Sequence, residues 1–368
     1  VTRGRESLAR LVLVLLSVGA VSLLAEVALR VAGYTPERFR STARLVDPHW
    51  RTLLDCYPSN PRGYFDIDLR KPGMRERYHS LAPLRFDAVA RRAPHAVEFR
   101  YNALRFRDVG PSPRPPGVTR VVVLGDSFTE GQGVKEPDTY PRVLEGLLRA
   151  GGGQWEVRNC GRRGADFPAL NDAFEDALRY EPDVVVLGMV LNDGERSPEF
   201  HARQSFVNDW ILDRGHLLEG GQAPPHFGLL HSRVAALVRE RLDAYRIGRD
   251  TTRWYREMYG PPNQEGWTRT QADLKAMDRR MRERGGRFLV ASWPLLVDLE
   301  SDPFADVYAV IADFCHTAGI PRHDLRPALL GHRSKELWVH PVDMHPNEVA
   351  HRLAAQSLAP VVRELAGR

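Results

Sequence analysis

The chain has 368 residues, 43% of them hydrophobic, with 52 basic and 47 acidic side chains and a formal net charge of +5. That length suits one large domain with additions or two modest ones. The small charge excess forms no dense basic block and excludes nucleic acid as an expected partner. The 3 cysteines, Cys56, Cys160 and Cys315, are too few and too scattered for a disulfide framework or a metal site, although one bridge stays open.

Arg3, Arg5 and Arg10 precede an uncharged run from Leu11 to Ala25, and apolar residues continue to Ala32. Residues 1–33 read as a cytoplasmic N-terminus followed by an uncleaved membrane anchor. A cleaved signal segment is the second reading and a buried soluble helix the third. Arginines ahead of the span orient the rest of the chain to the outer side of the inner membrane, periplasmic or extracellular. Glu26 and Arg30 are four apart and placed to pair where the helix emerges.

Residues 34–117 are polar, Arg-rich and broken by prolines. They read as an irregular lead-in that packs beside the next domain, with one short alternating strand between Cys56 and Leu69. A Pro-rich linker, Pro111 to Gly117, closes the region.

From residue 118 the chain alternates strand and helix. Val121 to Leu124 is a continuous apolar run rich in β-branched residues, the pattern of a buried parallel strand. A helix is expected over Pro141 to Arg149, with Pro141 at a first helical position. Strand Trp155 to Cys160, helix Pro168 to Tyr180 and strand Val184 to Val190 follow. A mostly helical insertion spans about 196–284, with helices over Leu229 to Ile247, Tyr255 to Tyr259 and Gln271 to Arg284. Strand Phe288 to Ser292, helix Asp306 to Ala318, a short strand near Ile320 and helix Glu348 to Ala366 complete the order. The alternation implies an α/β three-layer sandwich around a mostly parallel sheet.

In such sheets the carboxyl ends of the strands open onto the ligand crevice. Gly125-Asp126-Ser127 follows the first strand of this body. It is neither a P-loop nor a dinucleotide fingerprint, since no Lys-Ser or Lys-Thr follows and the Gly-x-Gly-x-x-Gly spacing is absent. Asn159-Cys160-Gly161-Arg162-Arg163-Gly164 follows the second strand and Asn192-Asp193-Gly194 the third. Asp343-Met344-His345 precedes the last helix, between Pro341 and Pro346. A serine needs a base to become a nucleophile and the base needs an acceptor to fix its tautomer. Ser127, His345 and Asp343 fill those roles, with Asp324 as another nearby acid for the last of them. The spacing of two puts Asp343 and His345 on one side of an extended segment. The Ser127 and Gly164 N–H groups and the Asn192 amide are candidate donors to an oxyanion. Six histidines between His316 and His351 lack metal-ligand spacing. Cys160 reads as a packing residue, and the aromatic group Trp254 to Tyr259 as core or as one wall of an acyl or sugar site.

These blocks resemble the SGNH hydrolases, the GDSL family of esterases and lipases, over the chain from about Arg120 onward apart from the insertion. Ser127 stands in Gly-Asp-Ser, Gly164 and Asn192 in the second and third blocks, and Asp343 with His345 in the last. The third block departs from the family's Gly-x-Asn-Asp, reading Val190-Leu191-Asn192-Asp193. The N-terminal apolar segment looks like that of a membrane-attached bacterial branch. The resemblance implies an SGNH-hydrolase or flavodoxin-like fold, a serine esterase with an acyl-enzyme intermediate, no metal or organic cofactor, and an envelope carbohydrate or lipid ester as substrate. Arg162, Arg163 and Asp193 are candidate substrate contacts. Two rival readings are a polysaccharide O-acetyltransferase with a membrane acyl-donor partner and a non-catalytic glycan-binding protein.

Overall fold

The computed structural model describes residues 2–34, 64–68, 95–202, 228, 230–340 and 343–367. The chain divides into two compact units, Val1–Arg51 with Ser205–Thr251, and Thr52–Gln204 with Thr252–Arg368.

The first unit holds the helix Thr2–Val31. Its segment Ser7–Val31 is long and apolar enough to cross a membrane, and its most apolar window has no residue buried against the protein. Arg30 pairs with Glu26 at 2.8 Å, as the i, i+4 spacing predicts. Glu26 also does something the sequence conceals. Its carboxylate accepts the Arg233 N–H at 3.0 Å and the Val234 N–H at 2.9 Å, so it satisfies orphan donors at the start of the helix Arg233–Met258.

The second unit is built on five parallel strands. Two short strands come first in sequence, β1 (Tyr64–Asp68) and β2 (His95–Phe99), paired parallel to each other. The main sheet comprises β3 (Val118–Gly125), β4 (Gln154–Gly161), β5 (Val184–Met189), β6 (Arg287–Ser292) and β7 (Arg322–Asp324), in the order β4-β3-β5-β6-β7. This is the flavodoxin-like order, whose reversal at β3 opens the crevice beside that strand's carboxyl end. Side chains of β3 alternate between two cores. Val121 and Val123 pack on one face with Tyr140, Leu144, Trp293 and Leu358. Val122 and Leu124 pack on the other with Phe167, Leu170, Met277 and Ile311. Residues buried on both faces explain the continuous apolar runs.

Most elements lie within a few residues of their predicted bounds. The insertion differs. Arg233–Met258 is one helix through Gly248, where the sequence pattern suggests two. Gly248 is exposed, with open space where a Cβ would stand. The real stop is Gly260-Pro261-Pro262, after which the helix Gln264–Glu283 starts seven residues earlier than the apolar pattern suggests. The aromatic group from Trp254 packs against the core, half-buried at Trp254 and Tyr255: Trp254 stacks on Phe200 and meets Tyr255 edge-on, and Tyr255 meets Phe304. Cys160 and Cys315 are buried free thiols, and Cys56 lies outside the described residues.

The last part of the lead-in is no loose appendage. The Asp108 carboxylate, fully buried, accepts the Asn159 N–H of β4 at 2.7 Å and pairs with Arg142 at 2.8 Å. The buried Arg120 guanidinium fastens the linker by donating to Ser112 O at 2.8 Å.

Two measurements follow from the core. Gly188 of β5 leaves no room for a methyl group, since a Cβ would lie 2.3 Å from the Tyr140 hydroxyl and 2.7 Å from Thr129 Oγ1. Gly188→Ala should cost about 1–3 kcal/mol in urea unfolding. His351 is wholly buried; its Nδ1 accepts the Tyr140 N–H at 3.1 Å. Burial, and then the Arg107 and His345 charges, hold its pKa down at about 3 against an ordinary 6.5. Between those values the unfolded chain binds a proton that the folded chain refuses, so stability falls as pH drops through that window. The loss from this group should reach about 2 kcal/mol by pH 5. His351→Asn, which keeps an acceptor there, should flatten the acid limb of a stability-against-pH curve by that amount.

Candidate active site

Gly125, Gly161 and Gly188 lie in one row across β4, β3 and β5, with Gly125 in register with both neighbours. A Cβ on Gly125 would fall 2.6 Å from Gly188 O, and one on Gly161 would fall 2.2 Å from the Glu130 N. Their bareness lets the short helix Ser127–Glu130 sit directly on the sheet end. Asp126 caps that helix, accepting the Phe128 N–H at 2.9 Å.

Ser127 Oγ lies 2.9 Å from His345 Nε2. The two residues are 218 positions apart in the chain. His345 reaches the serine from a two-stranded antiparallel ribbon, β8 (Trp338–His340) and β9 (Asp343–Pro346), beside the main sheet. Asn347 fixes the join to the last helix, Glu348–Leu365, by accepting the Val349 and Ala350 N–H groups. Asp343 occupies the same extended segment as His345, and its side chain lies outside the described residues. Phe128 packs against the imidazole at 5.5 Å between ring centres and against Trp293 at 5.7 Å. The Gln132 amide, nearly buried, stands 3.4 Å from His345 Nδ1. Gln132 follows the nucleophile block at no recognisable spacing, so nothing in the sequence singles it out.

Asn192 Nδ2 donates to Asp126 Oδ2 at 3.0 Å, and Ser127 Oγ stands 3.3 Å from the same oxygen. One carboxylate thus orients both the serine and the asparagine amide. Burial pushes the Asp126 pKa up, opposed by the Asn192 and Phe128 bonds and the His345 charge. Sequence reasoning gave Asp126 no part; only the fold shows that it faces Asn192. The Ser127 and Gly164 N–H groups have no acceptor among the described residues. Gly164 takes a left-handed φ of 72° at the tip of its turn, which favours glycine.

Of the three candidate substrate contacts, Asp193 is buried, Arg162 half-buried and Arg163 exposed. Asp193 is wholly buried and accepts the Val190 N–H at 2.8 Å, closing its own turn. Burial and then the Asp126 charge raise its pKa far above the usual range. Tyr259, also buried, donates to Leu191 O at 2.9 Å and steadies the same turn. Arg162 pairs with Asp176 at 2.6 Å, and Arg163 with Glu130 at 2.8 Å.

A family model described as the GDSL-like Lipase/Acylhydrolase family matches residues 123–353. The chain is also similar to an acetylxylan esterase from Xylanibacter ruminicola, with 35% identity over 112 residues, 26% of this chain and 22% of that protein. It therefore spans under a quarter of that relative's length. Among solved structures, an acetylxylan esterase from Geobacillus stearothermophilus aligns at 14% identity and TM-score 0.39, covering 71% of this chain and 97% of that one. The lipase/acylhydrolase from Enterococcus faecalis aligns at 16% identity and TM-score 0.39, covering 68% and 96%.

A hydroxyl held 2.9 Å from an imidazole nitrogen should react with serine-directed phosphorylating agents. A fluorophosphonate probe should leave its adduct on Ser127, located by peptide mass spectrometry. His345→Ala should slow the labelling by on the order of 100-fold or more.

Proposed function

Because this chain belongs to the GDSL-like lipase/acylhydrolase family, we propose that it is a serine esterase that removes short acyl groups from carbohydrate esters. The observation that carries the reading is the 2.9 Å contact between Ser127 Oγ and His345 Nε2 at the carboxyl edge of the sheet. Ser127 Oγ attacks the ester carbonyl carbon while His345 Nε2 takes its proton. The carbonyl oxygen becomes an oxyanion. It is held by the N–H groups of Ser127 and Gly164 and by the Asn192 Nδ2 hydrogen that Asp126 does not use. The intermediate collapses, the carbon–oxygen bond to the alcohol breaks, and His345 returns the proton to the departing alcohol. Water, deprotonated by the same imidazole, then attacks the acyl carbon; the bond to Ser127 Oγ breaks, His345 returns the proton to that oxygen, and the carboxylic acid leaves. Asp343 holds the Nδ1–H tautomer from the same extended strand. The helix Ser7–Val31 anchors the enzyme in the inner membrane, with the catalytic unit on the outer side.

The acetylxylan esterase likeness supports acetyl as the acyl group and a polysaccharide as the alcohol. The test uses p-nitrophenyl acetate and octanoate with the full chain in detergent, beside Ser127→Ala, with and without oligosaccharide acceptors. Acetate should be preferred, and Ser127→Ala should lower turnover by on the order of 10⁴-fold. Acetyl groups appearing on the added oligosaccharide, with no free acetate, would replace hydrolysis by transfer. Equal turnover by Ser127→Ala would end the serine-esterase reading.

A further inference from the structure

The loop that carries Gly164 is held from both sides by the segment that precedes the α/β body. On one side, the Arg162 guanidinium donates to Leu104 O at 3.1 Å and to Asp176 at 2.6 Å, and lies 4.7 Å over the Phe106 ring. On the other, the Arg163 guanidinium lies 4.8 Å over the Phe99 ring and bonds the Glu130 carboxylate at 2.8 Å. Glu130 is almost wholly buried and is the last residue of the helix that begins with Ser127. Its other carboxylate oxygen accepts the Tyr101 hydroxyl at 3.0 Å. Arg107, buried and 3.9 Å over the same Phe99 ring, donates to Glu130 O and Gly131 O. Thus Phe99, Tyr101 and Phe106 join the serine helix to the two residues before Gly164. The loop's backbone is tied by Arg162 N–H to Gly125 O at 2.8 Å and, within the turn, by Ala165 N–H to Arg162 O at 3.1 Å.

We infer that Glu130 and Arg163, contacted by Tyr101 and Phe99 respectively, are positioning residues that set the Gly164 N–H relative to Ser127, so that the segment Phe99–Phe106 is part of the catalytic apparatus. This rests on the serine-esterase reading of the site. The chemistry favours a brace over a substrate hook. The Arg163 charge is already matched by a buried carboxylate and its plane by an aromatic face. An oxyanion donor must be fixed before the reaction, and a displacement of about 1 Å costs on the order of 100-fold in rate.

The experiment compares Arg163→Met, Glu130→Gln and Tyr101→Phe with the wild-type chain on p-nitrophenyl acetate. Rates are expressed per site titrated with a fluorophosphonate, and phenylboronic acid, which adds to serine as a tetrahedral anion, serves as inhibitor. For Arg163→Met, kcat per titrated site should fall about 10- to 100-fold with KM within about twofold. Phenylboronic acid should weaken by a similar factor, and Arg163→Lys should restore part of both. Tyr101→Phe should move the same quantities severalfold. If Arg163→Met does not fold, Glu130→Gln gives the same comparison. Wild-type kcat per titrated site and wild-type phenylboronic acid inhibition in these variants, whatever their melting temperatures, would overturn the inference while the esterase reading stands. A wild-type chain with no Ser127-dependent turnover or labelling would overturn both.

Discussion

A row of missing side chains governs this molecule. Gly161, Gly125 and Gly188 stand in register across three neighbouring strands, and each would drive a Cβ into backbone or into a buried hydroxyl. Where they lie, the sheet ends flat enough for a helical turn to rest against it. Everything polar at the site depends on that close approach. Asp126 reaches Asn192 across the strand ends, Thr129 O accepts the Asn159 amide at 2.9 Å, and Tyr140 meets Thr129 at 2.7 Å. The apolar layers on either face supply most of the burial, but they do not choose where a serine stands.

That constraint also separates what was legible in the sequence from what was not. The strands were legible because buried parallel strands are written as unbroken β-branched runs, as in Val121 to Leu124 and Val184 to Leu187. The placing of Ser127, Gly164 and Asn192 at the strand ends was legible because each follows a predicted strand, at an edge the fold class exposes. His345 was legible through its place before the final helix and between two prolines. Its contact with Ser127 joins residues 218 apart, and no local pattern encodes such a distance.

The remainder was hidden for a related reason. Asp126 looks like one letter of a turn until Asn192 is seen opposite it. Arg162 and Arg163 look like bare charges until Asp176 and Glu130 are found beside them, one on a later helix and one at the end of the serine helix. Glu26 looks like an interruption of an apolar helix until its carboxylate is traced to the N–H groups at residues 233 and 234. In each case one partner is identifiable from sequence and the other is fixed only by topology. Helix ends in the insertion failed differently: glycine propensity at Gly248 was outweighed along a continuous helix, while prolines at 261 and 262 were not.

The family match begins at residue 123, whereas the bonds that steady the Gly164 loop begin at Phe99. The unit that must be inherited together is therefore longer than the recognisable domain. Phe99, Phe106, Arg162, Arg163 and Glu130 form one set drawn from three separate stretches of chain. A change in any one of them alters the value of the others. Among descendants of this protein these positions should drift as a group or not at all, even though the first two lie where a domain boundary would ordinarily be drawn.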